Sequence, residues 1–218
     1  MPIDFSFSQE VEDARLMMRG FLQDTVKPAF AALQADKDAQ RADWSALVKS
    51  LRQKAKAQGF WLPHMPQDVG GMGLGVTALA AVSAEAAKIP MGPYIINAQA
   101  PDEGNMHTLY HFATDYQREH FLNPLLEGTA RSCFSMTEPD VAGSDPTLIQ
   151  TSAVEEGDEW VINGHKWFTS GAEGADFAIV IARTDPDAEI PQARNSAFIV
   201  PTNTPGFEII RDVETMGG

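Results

Sequence analysis

Residues 131–171, RSCFSMTEPDVAGSDPTLIQTSAVEEGDEWVINGHKWFTSG, decide how this chain is read. Residues 132–137 alternate small or polar side chains with apolar ones, the pattern of a half-buried strand. The run ends at Thr137-Glu138-Pro139, because a proline has no N–H to continue a ladder. Residues 140–146 then offer Gly143, Ser144 and Asp145, whose backbone and side-chain groups are free to meet a ligand. A second run, 159–169, opens after Gly157-Asp158, a tight hairpin signal. A further turn at Asn163-Gly164 leads into Lys166-Trp167-Phe168-Thr169. Two predicted strand ends therefore each present a threonine and an aromatic beside polar loops.

Working outward, short alternating runs continue on both sides of this stretch. Strands are predicted at 132–137, 148–155, 159–169, 177–182, 196–201 and 207–210, with turn residues about every ten positions. Before Gly128 the pattern is helical. Ser8 can cap a first helix that carries Glu10 and Glu12 in its opening turn, where the dipole favours acids. Pro28 kinks or ends that helix. Asp43 can cap the next, with Leu47, Leu51 and Ala55 on one face and Gly59 as its stop. The alanine-rich run 77–88 reads as a buried helix, and 102–112 and 115–127 as two more. The expected fold class is α+β multidomain. An all-α helical N-terminal domain, 1–128, precedes a β-barrel or sandwich-like middle domain, 129–218.

Composition narrows the function. The chain has 218 residues and a formal charge of −14, which argues against nucleic acid and anionic membrane as partners. Cys133 is the one cysteine, so an internal disulfide is excluded and a reducing, cytoplasmic setting is the plain reading. The N-terminus lacks signal-peptide features, and no apolar run is long enough to span a bilayer. His107 and His111 stand four apart, a spacing that can bind metal, but no matching pair accompanies them, so they read as surface or packing residues and no metal is expected. Residues 71–75, GMGLG, superficially suggest a dinucleotide loop; without a preceding strand they read as a turn.

The motifs in the opening stretch resemble those of the acyl-CoA dehydrogenase family, flavoproteins that desaturate acyl thioesters. Phe134-Ser-Met-Thr-Glu-Pro139, then Gly143-Ser144-Asp145, then Asn163-Gly-His-Lys-Trp-Phe-Thr169 match the middle-domain signature in order and spacing. The helical half is similar to the family's first domain, including the turn region 59–75. The loop is one residue longer than the commonest form, and resembles a branch that acts on unusual or long acyl chains. The resemblance implies FAD as cofactor, with Phe134, Met136, Thr137, Ser144, Trp167, Phe168 and Thr169 binding it. It implies acyl-CoA as substrate, with Ser144 also contacting its pantetheine arm. It further implies a role in fatty acid metabolism, electron-transfer flavoprotein or a similar acceptor as partner, and a homo-oligomer. Thr137 and Thr169 would hydrogen-bond the flavin, Trp167 would cover a ring face, and Phe134 and Met136 would line the pocket. Two departures stand out: Phe134 occupies a position where tyrosine is common, and Ser170 replaces a frequent asparagine.

Family members continue into a further helical bundle that carries the catalytic base, so the resemblance assigns the base to none of the 30 acids here. The chain is then expected to be a partial subunit, inactive alone in α,β-dehydrogenation. A flavin oxidase or monooxygenase of the same superfamily, or a non-catalytic subunit that binds FAD or acyl-CoA, are the alternatives. Taken singly, Trp167 and Phe168 read as sheet residues burying area, and Thr137 and Thr169 as strand-end turn formers. The combined spacing is what makes them site residues. Glu138 and Asp145 read as residues that cap turns or hold the loop through backbone amides.

Overall fold

In a computed structural model the structure describes residues 6–143 and 145–214. These form two compact units that divide between Glu103 and Gly104.

The first unit is helical. Helix α1 (Gln9–Phe21) starts at Ser8, whose side chain accepts from the Val11 amide as the sequence predicts. One π-helical turn, Leu22–Val26, joins it to α2 (Lys27–Ala35). Pro28 therefore neither ends nor breaks the rod. It falls in the first turn after the bulge, where a missing N–H is tolerated. Helix α3 (Arg41–Ala57) begins two residues before the predicted cap. Asp43 sits inside it and accepts from the Gln40 amide at 2.8 Å, one arm of a capping box. Gly59, at φ 78°, stops α3 as expected. Helix α4 (Val76–Ala86) buries Ala81, Val82, Glu85 and Ala86. The glycine-rich run before it is a turn; a Cβ on Gly71 would lie 2.1 Å from the Met65 carbonyl oxygen. A short α5 (Gly92–Ile95) follows.

Helix α6 (Asp102–Phe112) runs across the division. In the second unit α7 (Asp115–Gln117), a π-helical turn and α8 (Asn123–Glu127) complete the helical part, closed by Gly128 at φ 69°. They pack on the sheet. Asn105 donates to the Ser132 hydroxyl at 2.9 Å, and Phe121 meets Phe177 edge-on at 5.1 Å.

The sheet has five strands: β1 (Ser132–Ser135), β2 (Ser152–Glu156), β3 (Glu159–Asn163), β4 (Phe177–Arg183) and β5 (Asn195–Pro201). Strand β4 is its hub. It pairs in parallel with β1 over Phe177–Val180, touches β2 in parallel at Arg183, and takes β5 antiparallel along its length. Its run of buried residues, Phe177 to Val180 and Ala182, fits a strand covered on both faces. The β2–β3 hairpin turns at Gly157, as predicted. The fold is thus α+β, with helices followed by a mixed sheet. That sheet is open among the described residues rather than closed into a barrel, because β1 and β2 succeed one another along the same edge of β4.

Four predicted strands differ. Residues 207–210 form none: Phe207 folds back after the turn, its amide donating to the Thr204 carbonyl, while Ile209 and Ile210 face outward. The runs 148–155 and 159–169 are shorter at the loop side, and β1 stops at Ser135. At each of these ends, backbone groups that would continue a ladder are diverted to the contacts described next.

Candidate functional site

The site is built where β1 ends and the segment after β3 passes beside it. The Trp167 amide donates to the Thr137 carbonyl at 3.0 Å, and the Thr137 hydroxyl donates back to the Trp167 carbonyl at 2.6 Å. This reciprocal pair replaces ladder pairing and fixes the two tips against each other. Trp167 and Phe168 lie ring against ring at 4.5 Å, tilted by 41°. Phe168 is 57% exposed and adopts φ 49°, a left-handed conformation unusual for an aromatic. Gly143 lies over the same tip, with an added Cβ falling 3.3 Å from the Thr137 methyl.

Beneath the tips lies a buried ion pair. Lys166 donates to the Met136 carbonyl at 2.9 Å and to Glu138 at 2.8 Å. The Glu138 carboxylate also accepts from the amides of Gln150 and Thr151, at 2.7 and 2.8 Å, and from the Thr151 hydroxyl. Burial pushes the Glu138 carboxyl upward. The bonds from Lys166, Thr151 and the two amides outweigh it and hold the group at about 2. Burial draws the Lys166 ammonium below its ordinary value, opposed by the attraction of Glu138. A hollow of about 220 Å³ opens beside the pair, lined by Glu138, Asp140, Gln150, Thr151 and His165 among others. Gly164 is required where the chain crosses this region, since a Cβ there would lie 2.2 Å from the Thr151 hydroxyl.

Of the residues predicted from sequence, Met136, Thr137, Trp167 and Phe168 are tied together by these contacts. Phe134, 37% exposed on β1, and Thr169, half-buried after Phe168, join them through chain position. Ser144 lies outside the described residues. Asp145 caps the next turn by accepting from the Thr147 amide, and Glu138 holds backbone amides, both as their sequence context suggested. Lys166 was not singled out by sequence, because its role depends on which carbonyl lies opposite it. Among the described residues no group of three or more His, Cys, Asp or Glu could hold a metal ion, and His107 and His111 stack at 6.4 Å. No helix there is long and apolar enough to cross a membrane.

The donor set suits a flat heteroaromatic group. The half-buried Trp167 and the exposed Phe168 offer a wall. The Thr137 hydroxyl, its proton committed to the Trp167 carbonyl, can accept a hydrogen bond from a ring N–H. Such a group would be bounded by Thr137, Trp167 and Phe168.

Comparison with known proteins bears on what that group is. Residues 8–129 match the family model of the acyl-CoA dehydrogenase N-terminal domain, and residues 133–218 that of the acyl-CoA dehydrogenase middle domain. The protein named probable acyl-CoA dehydrogenase FadE2 of Mycobacterium tuberculosis is 39% identical, over 99% of this chain and 53% of its own length. A solved structure from Mycobacterium abscessus, described as a candidate acyl-CoA dehydrogenase, is 36% identical with a TM-score of 0.87, over 98% of this chain and 55% of that one. A glutaryl-CoA dehydrogenase from Mycobacterium smegmatis, solved in complex with FADH2, is 25% identical with a TM-score of 0.65, over 92% of this chain and 47% of that one. The chain thus spans about half the length of these relatives. On the two family matches, the chain belongs to the acyl-CoA dehydrogenase family.

Proposed function

We propose that this chain provides the FAD-binding part of an enzyme that dehydrogenates an acyl-CoA thioester between its α and β carbons. The observation that carries this reading is the reciprocal bonding of Thr137 and Trp167, which places a hydroxyl acceptor beside a supported aromatic wall. Phe134, Met136, Thr137, Ser144, Trp167, Phe168 and Thr169 are the residues we assign to FAD, and Ser144 also to the acyl-CoA substrate. When bound, FAD supplies the acceptor for the β-hydride. This chain's residues do the rest of the work at the ring. Thr137 accepts a hydrogen bond from it, and Trp167 and Phe168 exclude water from one face.

The α-proton needs a base, and neither deeply buried glutamate is suited to it. Glu138 already accepts from an ammonium, two amides and a hydroxyl. Glu85 is fully engaged by three cations. As the resemblance to the family implies, we place the base in a further helical bundle, outside the residues described. The same proposal includes the 1–128 and 129–218 domain organisation, a cytoplasmic homo-oligomer, and electron-transfer flavoprotein or a similar acceptor as partner.

Anaerobic addition of acyl-CoA to the FAD-loaded full-length protein tests the reaction. Bleaching of the flavin band is expected. Flavin uptake without bleaching by any acyl-CoA would favour an oxidase, a monooxygenase or a non-catalytic subunit. In the same protein, Thr137→Val is expected to slow reduction and Trp167→Ala to weaken FAD retention.

A further inference from the structure

Apart from Phe134 on β1, the described residues assigned to the flavin sit on segments that no strand holds. After Asn163 the chain leaves β3, and Trp167 and Phe168 lie in an irregular run. Phe168 occupies a backbone region that an aromatic residue keeps only when its surroundings hold it there. Something outside ladder pairing must therefore fix this run.

Two residues bracket the paired tips in sequence: Glu138 follows Thr137, and Lys166 precedes Trp167. They meet as a buried pair, with side chains 5% and 11% exposed. Lys166 is a crosslink. Its ammonium reaches the Met136 carbonyl on one tip while its own backbone leads into the other. Glu138 anchors that crosslink to the amides of Gln150 and Thr151 at the entry to β2. Thr151 is in turn pressed against Gly164, so three backbone segments close on one carboxylate. A buried ion pair adds little net stability over an apolar pair of the same size. What it adds here is geometry, because an ammonium and a carboxylate have directional partners and methyl groups have none.

We propose that Lys166 and Glu138 are positioning residues that aim Trp167 and Phe168 and set the spacing of the Met136–Thr137 tip for the flavin ring. Neither touches the ring; both act through the backbone they hold. The inference rests on the FAD reading for its purpose but not for its geometry, and the test separates the two.

The test uses full-length protein labelled with 5-fluorotryptophan. The residues of this chain contribute four resonances, from Trp44, Trp61, Trp160 and Trp167, and Trp167→Phe identifies the last. In Lys166→Met and in Glu138→Gln the Trp167 resonance is expected to shift or broaden while those of Trp44 and Trp61 stay. FAD binding is expected to weaken about tenfold or more, the scale of one lost hydrogen bond to a charged group. If a single variant loses the Trp160 dispersion that marks a folded sheet, the double variant Lys166→Met/Glu138→Met replaces it, since an apolar pair keeps the fold. Its Trp167 resonance is expected to be displaced in the same way. An unmoved Trp167 resonance with FAD affinity within about twofold of wild type, in any folded variant, overturns the proposal. If wild-type protein takes up no FAD, the flavin reading fails, and the Trp167 resonance alone judges the positioning.

Discussion

Two buried glutamates, one in each unit, are both held well below the usual carboxylate range, by different partners. Glu85 on α4 is 4% exposed and meets only side chains: Arg19 at 2.7 and 3.1 Å, Arg15 at 2.7 Å and Lys88 at 2.9 Å. The Arg19 bonds are the strongest influence, and burial opposes them; the carboxyl settles at about 2. Arg15 is bound on its other side by Glu12. Glu138 is equally buried, and burial is the largest influence on it, outweighed by one lysine together with backbone amides and a hydroxyl. The two groups titrate alike, so acidity does not separate them. Their partners do. Side-chain partners on α1 tie one helix to another and can rehydrate if released. Backbone partners fix the path of loops, and those loops carry the residues assigned to the flavin.

The largest effect should come from removing Glu138. Glu138→Ala leaves Lys166 buried without its counter-charge and strips two amides and a hydroxyl of their acceptor. The expected loss is about 3–5 kcal/mol in urea unfolding. Glu85→Ala should cost less, about 1–2 kcal/mol, because Arg15, Arg19 and Lys88 are 19%, 41% and 54% exposed and regain water. A greater loss from Glu85→Ala would reverse the comparison. Gly164→Ala falls between the two, at about 1–3 kcal/mol, since the new methyl meets Thr151 rather than space.

Acid should expose both glutamates. Each has a folded value near 2 against an ordinary 4.5, so its contribution is complete above 4.5 and is lost as the pH falls through that window toward 2. Glu85→Gln and Glu138→Gln should each flatten the fall in stability over that range, measured by unfolding at a series of pH values. An unchanged slope in both would mean other carboxylates carry it. Phe168→Gly should have the smallest effect on stability. Relief of the left-handed backbone, worth about 1 kcal/mol, offsets the loss of a ring that is already 57% exposed. A clear destabilisation instead would show that the ring is held by packing and not by the lysine crosslink.

Much of this was legible in the sequence, and the exceptions share one cause. Ser8, Gly59, Gly128 and the Gly157 turn act as local chemistry predicts, because caps and turns need only their neighbours. Strand β4 could be read from its apolar run. The strand ends could not. The amides of Gln150, Thr151 and Trp167 follow an alternating pattern that suggests continued ladders, yet they go to Glu138 and Thr137, chosen by residues 12, 13 and 30 positions away. Asp43 stands three residues past the cap: it supplies the second arm of the capping box, while Gln40 is the cap. The aromatic and hydroxyl residues proposed for the site are read from motif spacing. Lys166, inside the same motif, carries no such signal in the sequence, and only the fold puts a buried carboxylate beside it.

The most direct test of the account is flavin fluorescence during titration of FAD into the full-length protein, wild type against Trp167→Ala. An indole against the ring quenches emission. The account requires strong quenching on binding in wild type, and in the variant weaker binding with brighter bound flavin. Equal affinity and equal quenching in the two proteins would contradict it.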